Sequence, residues 1–214
     1  MAQVKIAADS GGGSVALSGP ASTTSNAAVN FKLPVADGTA GQVLTTNASG
    51  QLEWKTPSIG VADQWRITAT KTVSGSSDVI TADWEQVDTG GQGTLGSALT
   101  QSSGIFTFPS TGIYYIQFST NADQGGPDNQ MRAKIEVTIN NGTDWAIAAE
   151  GFGSLHDRPS DVYDGIQCQS LIDVTDTAQV KIRFVVYASA NNTEFWGDSA
   201  KNMTYFTALR LGDT

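Results

Sequence analysis

The stretch Gly104-Ile-Phe106-Thr-Phe108-Pro109-Ser-Thr-Gly112-Ile-Tyr114-Tyr-Ile-Gln-Phe118 contains two alternating runs, Ile105 to Phe108 and Ile113 to Phe118, separated by a proline and a glycine. Successive side chains of an extended chain point to opposite faces, so each run turns one side to a core. The same period of two recurs outward from this stretch. It appears in Trp65-Arg-Ile67-Thr-Ala69-Thr, Ile135-Glu-Val137-Thr-Ile139 and Val180-Lys-Ile182-Arg-Phe184-Val-Val-Tyr187. With Trp84 to Val87, Trp145 to Glu150, Ile166 to Val174 and Met203 to Leu211 added, roughly eight to ten strands fill about 150 residues. That number and spacing fit a β-sandwich, and a jelly roll before other sandwiches.

Composition agrees with an all-β chain. Charged residues make up 15% of the 214, against roughly 25% in ordinary globular chains. Gly is abundant at 23 residues, and Thr, Val and Asn are frequent, as suits pleated strands joined by turns. In residues 1–60, Lys5, Lys32 and Lys55 balance Asp9, Asp37 and Glu53, so the whole net charge of -9 falls on residues 61–214. An acidic body with its Lys and Arg spread singly cannot neutralise a run of phosphates, which argues against nucleic acid as a partner. The single cysteine, Cys168, lies in an alternating run and excludes an intrachain disulfide framework. No apolar stretch is long enough to span a membrane and no secretion leader is recognised, so no membrane insertion is expected.

Residues 1–60 read as short strands and turns: Val4 to Ile6, Val15 to Leu17, Val29 to Leu33, Gln42 to Leu44 and Leu52 to Trp54, separated by Gly11 to Gly13, Pro20, Pro34, Gly38 and Gly50. So few large apolar side chains bury too little surface to offset the entropy of ordering the backbone. The segment is therefore expected to share a core with copies of itself, three chains intertwined about one axis. Thr56 to Ala62 reads as a linker, which places the domain boundary near Gly60, with residues 1–60 as an attachment segment and residues 61–214 as a head.

The run Phe31-Lys-Leu-Pro34-Val-Ala-Asp-Gly38-Thr-Ala-Gly41-Gln-Val-Leu44-Thr-Thr-Asn47-Ala-Ser-Gly50-Gln-Leu52-Glu-Trp54 resembles a module of tail-fibre and appendage proteins of bacteriophages, marine and cyanobacterial phages above all. Pro34 removes a ladder donor, while Asp37-Gly38 and Asn47 to Gly50 favour turns. The Gly104 to Phe118 stretch resembles the Phe-x-x-Pro-x-x-Gly-x-Tyr-x-Phe hallmark of complement globular-head and tumour-necrosis-factor-like jelly rolls. Met203-Thr-Tyr205-Phe206-Thr-Ala-Leu209-Arg-Leu211 is similar to the last strand of those heads. The resemblance implies a compact homotrimer that binds ligands on loops or flanks, with calcium near the trimer axis in some members. Against the family pattern, Phe152 to Gly165 reads as an insertion and Asp88 to Ser103 as a long loop.

Candidate chemistry is sparse. His156, the only histidine, has no Gly-x-Ser-x-Gly elbow beside it, and no catalytic residues are assigned; the chain is expected not to be an enzyme. One Cys and one His exclude a zinc cluster. Asp157, Asp161 and Asp164 lie close enough along the chain to share a calcium ion, or else form a solvated acidic loop. Asn192, Phe195, Trp196 and Asp198 combine rings with amide and carboxylate groups, the mixture that recognises sugars; Phe195 and Trp196 equally suit a core or a trimer contact. Val4, Ile6, Val15 and Leu17 are the candidate virion-attachment residues.

The function expected from these readings is a structural protein on the surface of a phage particle, made in the host cytoplasm. It would be a homotrimeric tail fibre or appendage, joined to other phage structural proteins, whose head meets a host receptor or glycan. A capsid decoration trimer and a soluble lectin-like protein are the alternatives.

Overall fold

The computed structural model describes residues 3–7, 14–18, 22–24, 28–29, 31–47, 49–55, 59–123, 128–155, 162–189 and 192–214. The chain divides into two compact units, Met1–Ser58 and Ile59–Thr214. The described residues form strands and turns with no α-helix.

In the first unit, β1 (Gln3–Ala7) pairs antiparallel with β2 (Ser14–Ser18), which sets Val4 opposite Leu17 and Ile6 opposite Val15. β3 (Val43–Thr46) pairs with β4 (Leu52–Lys55). The Asn47 side-chain oxygen closes the turn between them by accepting from the amides of Ser49 and Gln51. Trp54 donates its indole N–H to the carbonyl of Ala36, and its ring lies where a Cβ on Gly38 would stand 2.6 Å away. Glycine at position 38 is what lets the ring in. Over Val29 to Leu33 the expected strand gives way to a single parallel bridge between Lys32 and Gln51. Pro34 cannot extend a ladder. Val29, Phe31, Leu33, Val35, Val43, Leu44 and Trp54 are all exposed.

The second unit holds β5 (Val61–Ile67), β6 (Lys71–Val73), β7 (Ser76–Val79), β8 (Trp84–Gln86), β9 (Thr100–Ser102), β10 (Ile105–Thr107), β11 (Gly112–Asp123), β12 (Asp128–Thr138), β13 (Ala146–Leu155), β14 (Tyr163–Val174), β15 (Lys181–Ala188), β16 (Thr193–Phe195) and β17 (Tyr205–Gly212). This exceeds the strand number expected from the sequence, because β6, β7, β9 and β16 are three or four residues long and carry no readable period. The strands form two sheets. One is six-stranded, β13-β12-β15-β10-β9 with β7 also on β15; the other is seven-stranded and runs β14-β11-β17-β5-β8, with β16 and β6 continuing from the end of β11. They are called the β12 sheet and the β11 sheet below.

The Gly104 to Phe118 stretch carries the chain from one sheet to the other, since β10 belongs to the β12 sheet and β11 to its partner. Phe108 packs on Tyr114 at 4.7 Å between ring centres, and the Tyr114 hydroxyl donates to the carbonyl of Ser110 at 3.1 Å. These contacts fasten the crossing. Between the sheets lies a continuous aromatic cluster. Phe106 of β10 and Phe184 of β15 come from one side, and Trp65, Trp84, Phe118 and Phe206 from the other. Phe184 and Phe206 stack with centres 4.3 Å apart.

Parts of the stretches read as an insertion and a long loop belong to the sandwich. Phe152 to Leu155 completes β13, and Tyr163 to Gly165 begins β14. Here the two sheets approach each other: a Cβ on Gly151 would meet the carbonyl oxygen of Gln167 at 2.6 Å, and one on Gly153 would meet Ile166 at 2.8 Å. Those glycines are packing residues of a strand. Within Asp88 to Ser103, β9 forms, Leu95 bridges to Ala62, and Leu99 is buried. A buried carboxylate ties this stretch down. Asp63 accepts from the Gln86 amide, the Thr94 hydroxyl, the Trp65 indole and the backbone N–H of Leu99 at 2.8 to 3.2 Å.

Replacing Phe184 by Ala removes a ring from the middle of the aromatic cluster and should cost about 3–5 kcal/mol. Phe152, 63% exposed on β13, should cost about 1 kcal/mol or less on the same change. Urea unfolding of the two variants at equal protein concentration checks the difference.

Candidate functional site

Because Tyr114, Ile116, Phe118 and Ala122 must face the core, the intervening residues of β11 face outward. The register aligns them in rows. Tyr115 lies between Leu171 of β14 and Leu209 of β17, Gln117 between Gln169 and Thr207, and Ser119 between Gln167 and Tyr205. Asn121 stands beside Gly165, and Asp123 beside Tyr163. From the Tyr115 row to the Asn121 row none of these three strands carries a charged side chain. Amides link neighbours instead: Gln64 donates to Thr207 at 2.8 Å, Gln117 to Gln167 at 3.4 Å, and Asn202 to Gln64 at 3.3 Å.

The face changes character along its length. At the Tyr115 end it is apolar, with Leu171 and Leu211 more than half exposed. At the Asn121 end it sinks into two adjoining depressions. One, of about 320 Å³, has Tyr163, Trp196 and Asp164 in its wall; the other, of about 280 Å³, is walled by Ser119, Gln167, Asn202 and Tyr205. Both share Asn121, Gly165 and Met203. Trp196 is held by a hydrogen bond from its backbone N–H to the Asn121 carbonyl, and its ring meets Tyr163 edge-on at 5.1 Å. The Ser119 hydroxyl oxygen and the Asn202 side-chain oxygen are buried and have no hydrogen-bond partner among the described residues.

The outward face of the β12 sheet is different. Arg132 and Lys134 pair with Glu150, and Arg183 pairs with Glu136. Their cations also lie over Phe152, Tyr187 and Trp145. Charge on that face is largely matched within it.

The candidate residues read from the sequence scatter in the structure. Phe195 is wholly buried in the core cluster, opposite Ala122 of β11, so its ring faces no ligand. Its neighbour Trp196 points the other way and lines a depression. Asp198 accepts from the amides of Ala200 and Lys201 at 2.7 and 3.1 Å, and the Ala200 amide holds its carboxyl below the ordinary range. It serves a turn. Asn192 is exposed with φ of 43°, in a turn before β16. Of the calcium candidates, Asp164 spends its oxygens on the backbone amides of Ser154 and Gly165. Asp157 and Asp161 lie outside the described residues, as does His156. Among the described residues no three His, Cys, Asp or Glu side chains come together. Val4, Ile6, Val15 and Leu17 pair across the β1–β2 ladder.

The sequence reading passed over Ser119, Tyr163, Gln167, Asn202 and Tyr205. All are neutral and they come from three separated stretches, Ser119, Tyr163 with Gln167, and Asn202 with Tyr205, which strand register brings together.

The two sheets and their strand order define a jelly roll of the tumour-necrosis-factor type. The chain is similar to Eiger TNF from S. frugiperda, with a TM-score of 0.53 and 12% identity over 73% of this chain and 96% of that one. Murine APRIL crystallised at pH 8.5 gives a TM-score of 0.48 and 12% identity over 70% of this chain and 99% of that one. APRIL at pH 5.0 gives 0.47 and 15% with the same coverage. At such identities the likeness is one of fold. No protein-family model and no curated protein matches the sequence.

Cys168, inward on β14, is a free buried thiol whose pKa is pushed by burial from 9.0 up to about 11. Its contribution to stability is complete below the unfolded value and is lost as pH rises towards the folded one. Between pH 9 and 11 the urea midpoint of the native chain should fall more steeply than that of Cys168→Val. Parallel pH profiles would contradict this.

Proposed function

We propose that this chain is a structural protein of a bacteriophage particle, a homotrimeric appendage whose first unit attaches to the particle and whose jelly-roll head meets the host surface. The observation that carries the reading is apolar surface that one chain leaves uncovered. Phe31, Leu33, Val35 and Trp54 are exposed in the first unit, and Leu171 and Leu211 in the second. Contiguous exposed apolar surface marks an interaction site.

Other copies of the same chain are the occupants that best suit it. The head carries the whole net charge of -9, so copies of it repel one another except where they meet through uncharged surface. The uncharged rows of β14, β11 and β17 give such a surface at their Tyr115 end, with Tyr115, Leu171 and Leu209 for contact. The tumour-necrosis-factor-like fold accords with this, and the likeness of Phe31 to Trp54 to phage appendage modules supports a place on a virus particle.

Antibody labelling of intact, purified particles tests the proposal. Label at the tail tip is the expected result, and label on the capsid would shift the assignment to a decoration protein. Particles devoid of this chain would overturn the virion reading.

A further inference from the structure

We propose that the joined depressions at the Asn121 end of the β11 sheet bind a neutral sugar ring. This deepens the reading of the head as a surface-binding module and rests on it for its biological sense, though the chemistry is argued from the groove itself.

A pyranose presents an apolar C–H face and a rim of hydroxyls that donate and accept. The groove offers a counterpart to each. Trp196 and Tyr163, the latter 58% exposed, supply ring surface for the apolar face. Beside them the Ser119 hydroxyl is buried to 5% exposure and has no partner among the described residues. The Asn202 side-chain oxygen is likewise buried and unpaired, while Gln167 adds an exposed amide and Tyr205 a phenol. Buried polar atoms without partners are costly, and ligand hydroxyls would satisfy them.

Charge narrows the class. Among the described residues no Lys or Arg lines either depression, so a phosphate, sulfate or uronate finds no counter-charge among them. The carboxylate of Asp164 already accepts from two backbone amides. Volumes of about 320 and 280 Å³ sit at the small end of the roughly 300–1,000 Å³ typical of small-molecule sites. That room suits one or two sugar rings. Gly165 forms the saddle between the depressions, where a Cβ would come within 3.2 Å of the Asn121 side-chain oxygen. The groove is also clear of the surface assigned to contact between copies. Tyr115 and Asn121 are separated along β11 by roughly 20 Å of extended chain.

The probes are the methyl glycosides of glucose, galactose, mannose and N-acetylglucosamine, with glucuronate and glucose 6-phosphate as charged comparators. Binding to the full chain is read by saturation-transfer NMR and tryptophan fluorescence. At least one neutral glycoside should bind with a Kd of about 1 mM or tighter, a strength ordinary for a small polar ligand. Gly165→Val, which fills the saddle, and Gln167→Ala and Trp196→Ala, which remove partners, should each weaken binding about tenfold. Trp196→Tyr keeps a ring and should retain most of it, and Phe152→Ala on the other sheet should change nothing. Absence of binding by every neutral glycoside, preference for the charged sugars, or binding indifferent to both Gly165→Val and Trp196→Ala would overturn the proposal. Chain mass measured on the same samples separates the two readings. A single-chain species that binds the glycosides upholds the groove and refutes the trimer; a trimer that binds none refutes the groove alone.

Discussion

Stacking of Phe184 on Phe206 across the sandwich, with Phe106, Phe118, Trp65 and Trp84 packed around the pair, is the constraint on which the head depends. Each ring comes from a different strand, and β8 and β10, which contribute Trp84 and Phe106, are only three residues long. Strands that short gain little from their own ladders, so burial of the ring is what holds them in place. The cluster also fixes the outward surface. With Phe118 inward, the pleat obliges Gln117 and Ser119 to face out, and a slip of one residue would exchange core and surface along the whole of β11.

A second, polar constraint completes the fold where apolar side chains run out. The stretch from Asp88 to Leu99 offers a sandwich little to bury, yet the Asp63 carboxylate gathers four donors there, two from side chains of β5 and β8 and two from the stretch itself. A buried carboxylate is tolerable when every lone pair is used. Arg66, also fully buried on β5, pairs with Glu85 and reaches Thr89 at the start of the same stretch. Neither network is visible in a hydrophobic pattern, which is why the segment reads as a loop.

Much of the fold was legible in the sequence, and the limits have physical causes. The long strands β11, β14, β15 and β17 show their period because each has one face in the core. β6, β9 and β16 are too short to show one, and their pairing is decided by the strands beside them. Gly153 reads as part of an insertion and Gly151 lies outside the strand read from Trp145 to Glu150, although the close approach of β13 to β14 is what requires both. The site was less legible. Phe195 and Trp196 were read as a pair, but neighbours in a strand face opposite ways, so one joined the core and the other the surface. Ser119, Gln167 and Tyr205 became neighbours only through the pairing of β14, β11 and β17.

Assembly is proposed on the strength of the uncharged rows of β14, β11 and β17 on an acidic head, together with exposed apolar side chains in the first unit. The most direct measurement is the mass of the purified full chain by sedimentation equilibrium at micromolar concentration, beside that of Leu171→Glu. Leu171 is exposed in the single chain, so the added charge spares the fold and strikes only the contact between copies. A species of three times 22.4 kDa, reduced by the substitution, is the predicted result; a stable single chain unaffected by it would contradict the account.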